Sequence, residues 1–341
     1  MTLKETYQQI QHRLSGLDLD SVWSKFSLHR FALYNDTEVI LDGISLPKTE
    51  EFVGNTAIRF QGDFVAIWYL PQPMDPDILT SKIVHEMFHA YQVEQGESRF
   101  PHEIEALLGY DYDSHCMSIK YRENILLAQL CETFDPQLYA EFLALRAVRE
   151  RDFPFQYRYD SSIEVVEGSA QYVELQVLRQ LSPIKYDKEI HRLIARLRQV
   201  ELLRPVRILS YDVGAIIICL CHDNNLPCNQ TVGPCDSFLL ETAEAAISIE
   251  PDESVIHFLE EHNQCFRSRL NRVRQNSPKV MEGLFELIGV NVYSAIFQDN
   301  HISTEYFLQY RTEQGEAQTL MGNYLLEMKE NKIIRIVQED A

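Results

Sequence analysis

Hydrophobic positions change their period twice along this 341-residue chain. Between residues 28 and 70 they fall in short β-branched and aromatic stretches, RFALYN, TEVILDGI, FVGNTAIRF and DFVAIWYL, separated by turn residues, which predicts strands. From 75 to about 275 they recur at helical spacing. Two helix starts carry cap signatures: Asp75-Pro76, an N-cap followed by proline, and Ser161-x-x-Glu164, read as a capping box. Further helices are predicted near 115–132, 136–151, 186–202, 211–223, 237–247 and 253–275. After Ser277-Pro278 the strand pattern returns in VNVYSAIF, EYFLQYR, GNYLLEM and NKIIRIV, with Lys329-Glu330-Asn331-Lys332 as the last turn. Strands and helices come in blocks, which makes the class α+β. The parts are a small N-terminal mixed sheet, a largely helical second half and a C-terminal β element.

Composition narrows the functions open to this fold. With 45% hydrophobic and 24% charged residues the chain is ordinary globular protein. Its 31 basic and 51 acidic residues give a net charge of −20, which argues against nucleic acid and an anionic membrane surface as partners. No apolar run reaches the length of a membrane span, and the longest, Val213–Cys221, reads as buried helix. The first residues, MTLKETYQQIQHRLSG, lack a signal-peptide core, so a cytoplasmic location is expected, with the seven scattered cysteines reduced. Cys221, His222, Cys228 and Cys235 invite a metal reading, but no C-x2-C pair supports it.

The strongest chemical signal is His85-Glu86-Met87-Phe88-His89, inside a helix expected from Pro76 to Gln95 and closed by Gly96. On a helix, residues i and i+4 lie on one side, so both imidazoles can share one ion while Glu86 reaches its water. Chance would produce this motif roughly 0.03 times in a chain of this composition. Catalytic zinc takes three protein ligands, so a third must come from elsewhere. Glu164-Val-Val-Glu167-Gly168-Ser-Ala170-Gln-Tyr172-Val-Glu174 supplies the best candidate. Glu167 is expected one turn into the capped helix, with Gly168 and Ala170 small enough for close approach to the histidine helix and Glu164 serving the cap. Glu103, Glu105, Asp111 and Asp113 remain rivals, whereas Glu94 and Glu97 follow the histidines too closely to curl back.

His85-Glu86-x-x-His89 followed by Glu167-Gly168-x-Ala170-x-Tyr172-x-Glu174 resembles the gluzincin metallopeptidases, the thermolysin-like and aminopeptidase-like group. The resemblance spans roughly residues 60 to 225 and implies a zincin-like fold with one Zn2+ per chain held by His85, His89 and Glu167. It implies Glu86 as general base and Glu174 as the partner that orients a zinc histidine; a solvated helix carboxylate is the alternative for Glu174. Ser210-Tyr211-Asp212-Val213-Gly214 resembles the Y-x-x-G element of the same group, which implies Tyr211 as oxyanion donor. A core or surface tyrosine is the plain alternative, with His222 and His102 as reserve donors. In this group the strand before the zinc helix, here Asp63–Leu70, edges the substrate cleft; an ordinary internal strand is the equal alternative. The G-x-M-E-N element of the aminopeptidases is absent, which leaves aminopeptidase specificity without support.

The expected division is a gluzincin-like domain, 1–275, with sheet and zinc helix in 28–96 and a helical subdomain in 97–275, followed by a β-rich element in 276–341. The expected function is zinc-dependent hydrolysis of a peptide or protein substrate. The alternative is a gluzincin-fold zinc-binding module with a regulatory or interaction role and no turnover.

Overall fold

A computed structural model describes residues 2–242, 247–276 and 280–339. Two short helices, α1 (Leu3–Leu14) and α2 (Leu19–Val22), precede strands β1 (Arg30–Tyr34), β2 (Glu38–Leu41), β3 (Ile44–Pro47), β4 (Thr56–Phe60) and β5 (Asp63–Tyr69). Helices follow: α3 (Pro76–Glu94), α4 (Glu103–Gly109), α5 (Ser114–Glu132), α6 (Pro136–Asp152), α7 (Pro154–Leu181), α8 (Pro183–Arg196), a 3-10 turn at Val200–Leu203, α9 (Val206–Asn224) and α10 (Glu253–Asn276). Seven strands end the chain: β6 (Val280–Val290), β7 (Ile296–Gln298), β8 (His301–Thr304), β9 (Phe307–Arg311), β10 (Ala317–Met321), β11 (Tyr324–Lys329) and β12 (Lys332–Gln338). The class is α+β, with an N-terminal sheet, a helical middle and a C-terminal sheet.

Two compact units divide the residues. Unit 1 holds Met1–Phe100, Ser161–Arg196 and Ser210–Glu241; unit 2 holds Pro101–Asp160, Leu197–Leu209 and Thr242–Ala341. In unit 1 the sheet order is β3-β2-β1-β5-β4. β1 and β5 run parallel and the other pairs antiparallel, so the sheet is mixed. Strand β5 is therefore internal and β4 forms the edge, so Asp63–Leu70 is the ordinary internal strand that stood as the alternative to a cleft edge. The stretch TEVILDGI is also broken: Asp42 and Gly43, with φ of 51° and 75°, make the two-residue turn of the β2–β3 hairpin. Ala32, Tyr34, Val39, Leu41, Phe52, Val65 and Ile67 form the core of the sheet.

In unit 2 the second sheet has the order β10-β9-β6-β12-β11-β8-β7, antiparallel throughout. Glu330 and Asn331, both at positive φ, make the expected last turn. Phe266, Leu270 and Val273 of α10 pack on Leu325 and Val337 of this sheet.

Several expected helices hold within a turn, but four differ: the one expected at 186–202 stops at Arg196, short of a separate 3-10 turn at Val200–Leu203. Ser161-x-x-Glu164 is no cap, because α7 starts at Pro154 and Ser161 and Glu164 are buried mid-helix. Proline at the first position begins the helix seven residues earlier. The helix expected at 211–223 begins at Val206, while 237–242 is not helical and 243–246 lies outside the described residues. Ser277-Pro278 also lies outside them. The expected strand VNVYSAIF is split between the ends of β6 and β7 by a turn.

Candidate metal centre

Helix α3 starts as its sequence requires: the Asp75 carboxylate accepts hydrogen bonds from Asp77 N and Ile78 N, with Pro76 in the first turn. Lys185 Nζ lies 2.6 Å from Asp75 Oδ1 and from Asp77 Oδ2, and Arg13 Nε lies 2.7 Å from Asp77 Oδ1. Leu79, Ile83, Met87, Phe88 and Ala90 are fully enclosed. Phe88 meets Trp23 edge-on at 5.0 Å and Phe26 at 5.2 Å, while Trp23 also meets Tyr172 of α7 at 6.1 Å. Each such aromatic pair adds about 0.5–1.5 kcal/mol beyond area burial, so the cluster fixes the roll of α3.

That roll turns Lys82, His85, Glu86 and His89 to one partly open stripe. Helix α7 carries a matching stripe, Glu167, Gln171 and Glu174, in a stretch otherwise buried from Ser161 to Leu175. Between the two, His85 Nε2 and His89 Nε2 are 3.1 Å apart, His89 Nε2 and Glu167 Oε2 3.1 Å, and His85 Nε2 and Glu167 Oε2 3.9 Å. Three atoms so spaced lie on a circle of radius about 2.0 Å, close enough together for one ion to reach all three. Among the described residues this is the one group of three or more His, Cys, Asp or Glu side chains close enough to share an ion. These residues can hold a metal ion.

The surrounding contacts orient both rings. Gln92 Oε1 is 2.8 Å from His89 Nδ1, and Gln92 Nε2 donates to Val166 O at 2.8 Å. The amide thus accepts from Nδ1–H and leaves the Nε2 lone pair free for a metal. Glu174 Oε2 lies 3.2 Å from His85 Nδ1, off the axis of a well-formed hydrogen bond, and its other oxygen takes Lys82 Nζ at 3.0 Å. Gln92 was missed in the sequence; its place one turn after His89 was the available signal.

Proton affinities follow from this crowding. Burial lowers the pKa of His85, but the Glu167 and Glu174 carboxylates outweigh it and lift the pKa to about 10. His89 is raised likewise, the Glu167 charge overcoming burial. Burial raises Glu86, helped by Glu167 and Glu174 and opposed by the two histidines. Glu174 moves down to about 2, because His85 and Lys82 overcome its burial. Three carboxylates and one ammonium face two imidazoles, an arrangement that attracts a proton or a metal cation.

Gly168 is small for another reason than expected. A Cβ there would lie 2.6 Å from Gly214 Cα, and one on Gly214 would strike the Glu164 backbone, so the two glycines let α7 cross α9, not α3. Glu167 sits mid-helix, not one turn from a cap. Tyr211 stands in the second turn of α9, half-buried, next to Asp212, whose carboxylate takes Arg196 at 2.6 Å. Both ring nitrogens of His222 are engaged, Nδ1 by Tyr172 Oη at 3.2 Å and Nε2 by Gln230 Nε2 at 2.9 Å. Among the rival ligands Glu103 pairs with Arg207 and Asp113 caps α5, and none of Glu103, Glu105, Asp111 and Asp113 joins the His85–His89–Glu167 group.

Comparison with known proteins returns no matching family model, no matching curated protein and no matching solved structure.

Proposed function

We propose that this protein is a zinc-dependent hydrolase of zincin-like design that cleaves peptide bonds. The observation that supports the reading is the convergence of His85, His89 and Glu167 donor atoms within reach of one ion, the histidines on a helix that also carries Glu86. Zinc, when bound, would supply a Lewis acid that polarises a carbonyl and makes water nucleophilic near neutral pH. Glu86 lies on the same partly open stripe of α3 as the two histidines, the place for a base that takes the nucleophile's proton and passes it to the leaving amine. Gln92 and Glu174 hold the imidazoles in the tautomers that metal binding needs. We assign Tyr211 as the oxyanion donor, on a helix whose Gly214 packs against the Glu167 segment. The expected setting is the cytosol, with the scattered cysteines reduced.

Metal analysis with peptide turnover tests this reading. Purified protein should carry about one zinc per chain and hydrolyse members of a broad peptide library. Glu86→Gln should keep the zinc and lose turnover, and Tyr211→Phe should lower kcat by about two orders of magnitude with KM nearly unchanged. Stoichiometric zinc without turnover in the unaltered protein would instead favour a binding module. Loss of zinc from Glu86→Gln would make Glu86 structural.

A further inference from the structure

Unit 2 contains a cleft that the metal centre does not use. Tyr110, Tyr112, Tyr159, Arg204, Ile296 and Phe297 are among its lining residues, and its void, counting the open mouth, is about 540 Å³. Two charges in the wall answer each other: Arg207 is paired with Glu103, and Tyr159 Oη donates to the same carboxylate at 2.9 Å. Arg204 differs. Its side chain is buried, with the residue only 8% exposed, yet no carboxylate lies within ion-pair range of it among the described residues. Its Nη1 donates to Asn263 Oδ1 at 2.9 Å, and its guanidinium lies 4.6 Å from the centre of the Tyr112 ring.

A neutral amide and an aromatic face hold a guanidinium in place without cancelling its charge. A buried cation without a counter-ion is costly, and the cost is relieved when an anion binds. The neighbourhood registers the surplus. Burial lowers the Arg204 pKa, and burial together with the Arg204 charge holds His262 of α10 down at about 4.

We propose that this cleft binds a small organic monocarboxylate. Its carboxylate would pair with the Arg204 guanidinium, and its apolar body would lie against the tyrosines and the Ile296–Phe297 wall. A planar carboxylate matches the guanidinium fork. The cleft offers one uncancelled positive charge, which a monoanion neutralises and a dianion such as phosphate would overshoot. The aromatic and aliphatic lining favours a ligand with an apolar body over an inorganic ion. This inference rests on unit 2 alone and stands apart from the metal reading.

Calorimetric titration of the full chain, dialysed against a chelator so that no metal can take the carboxylate, tests it. Sodium benzoate is the probe, benzamide its uncharged analogue and inorganic phosphate the competing anion, all at one ionic strength. Benzoate should bind at least about tenfold more tightly than benzamide or phosphate, and Arg204→Gln should weaken benzoate by a similar factor. The three-ligand comparison uses the unaltered protein, so it decides even where the variant does not fold. Equal affinity for benzoate and benzamide, tighter binding of phosphate, or no benzoate binding up to about 10 mM would overturn the proposal.

Discussion

Arg149 in unit 2 and His85 in unit 1 are both ringed by carboxylates in the protein interior, yet the two surroundings are built for opposite ends. Arg149 meets Glu123 through two parallel contacts, Nε to Oε1 at 2.8 Å and Nη2 to Oε2 at 2.9 Å, and reaches Asp160 Oδ2 with Nη1 at 2.6 Å. Lys120 Nζ sits 3.0 Å from the same Asp160 oxygen, and Arg146 lies 5.3 Å from the Tyr157 ring. Glu123 and Asp160 are met by fixed cations, Lys120, Arg146 and Arg149, that the fold itself supplies. Around His85 the balance is reversed. Glu86, Glu167 and Glu174 outnumber Lys82, and the lone pairs of His85, His89 and Glu167 converge on one point. Buried charge alone therefore does not mark a functional site. The sign of the imbalance, and whether acceptors share a focus, separates a structural network from a place for an ion.

The largest expected effect tests the closed network. Arg149→Met should cost about 3–5 kcal/mol in urea unfolding, because it leaves Glu123 and Asp160 facing each other without their shared cation. Zinc added to that variant should not restore the loss specifically, since its stabilisation should equal that of the unaltered protein. At a hundredfold excess over Kd that stabilisation is about 2.7 kcal/mol. A loss below about 1 kcal/mol in Arg149→Met would show that the network is not the self-contained structure described.

These two clusters were unequally legible in the sequence. His85, Glu86 and His89 could be read because a helix converts a spacing of four into a shared direction, a local rule. Glu167 and Glu174 were proposed through the resemblance of Glu167-Gly168-x-Ala170-x-Tyr172-x-Glu174 to the gluzincin pattern, since the cap argument offered for Glu167 does not hold in the structure. The reason given for Gly168 was wrong, since which neighbour a glycine admits is decided by contacts with α9 more than forty residues away. Ser161 was misread for a related cause: serine suits both a cap and a buried turn of helix, and only the tertiary setting chooses. The network around Arg149 escaped notice entirely. Its members come from three helices, α5, α6 and α7, and no local pattern links them. Strands β1, β2, β4, β5, β9, β11 and β12 were legible in β-branched and aromatic runs, whereas β3, β6, β8 and β10 went unread, and the strand order, with the identity of the edge, depended on pairing across the sheet.

A smaller effect sharpens the contrast at the open cluster. Gln92→Leu removes the acceptor that faces His89 Nδ1 while leaving all three proposed ligands in place. Zinc affinity, measured by competition with a chromophoric chelator, should fall about 10–100-fold, and Gln92→Glu, which keeps an acceptor, should recover most of it. Unchanged affinity in Gln92→Leu would mean that helix packing alone holds the ring.

The subtlest prediction concerns the sign of a pH dependence. In the metal-free protein the His85 pKa is raised to about 10 by Glu167 and Glu174 despite burial, against about 6.5 for an unfolded histidine. A raised folded pKa means that protonated His85 stabilises the fold fully below about pH 6.5, and that this contribution drains away as pH climbs toward 10. Metal binding needs the neutral ring, so zinc must displace that proton, and apparent zinc affinity should rise with pH across the same range, up to about tenfold per unit for each proton released. The two stability curves should therefore diverge as pH rises, the metal-free protein weakening while the contribution of zinc at fixed concentration grows. Unfolding midpoints with and without zinc at several pH values give the divergence, and calorimetry in buffers of different ionisation enthalpy counts the protons released. In Arg149→Met the divergence should persist, because the unit 2 network contains none of the titrating imidazoles. Parallel curves, or zinc binding without proton release near pH 7, would show that His85 is already neutral and that its carboxylate neighbours do not hold a proton there.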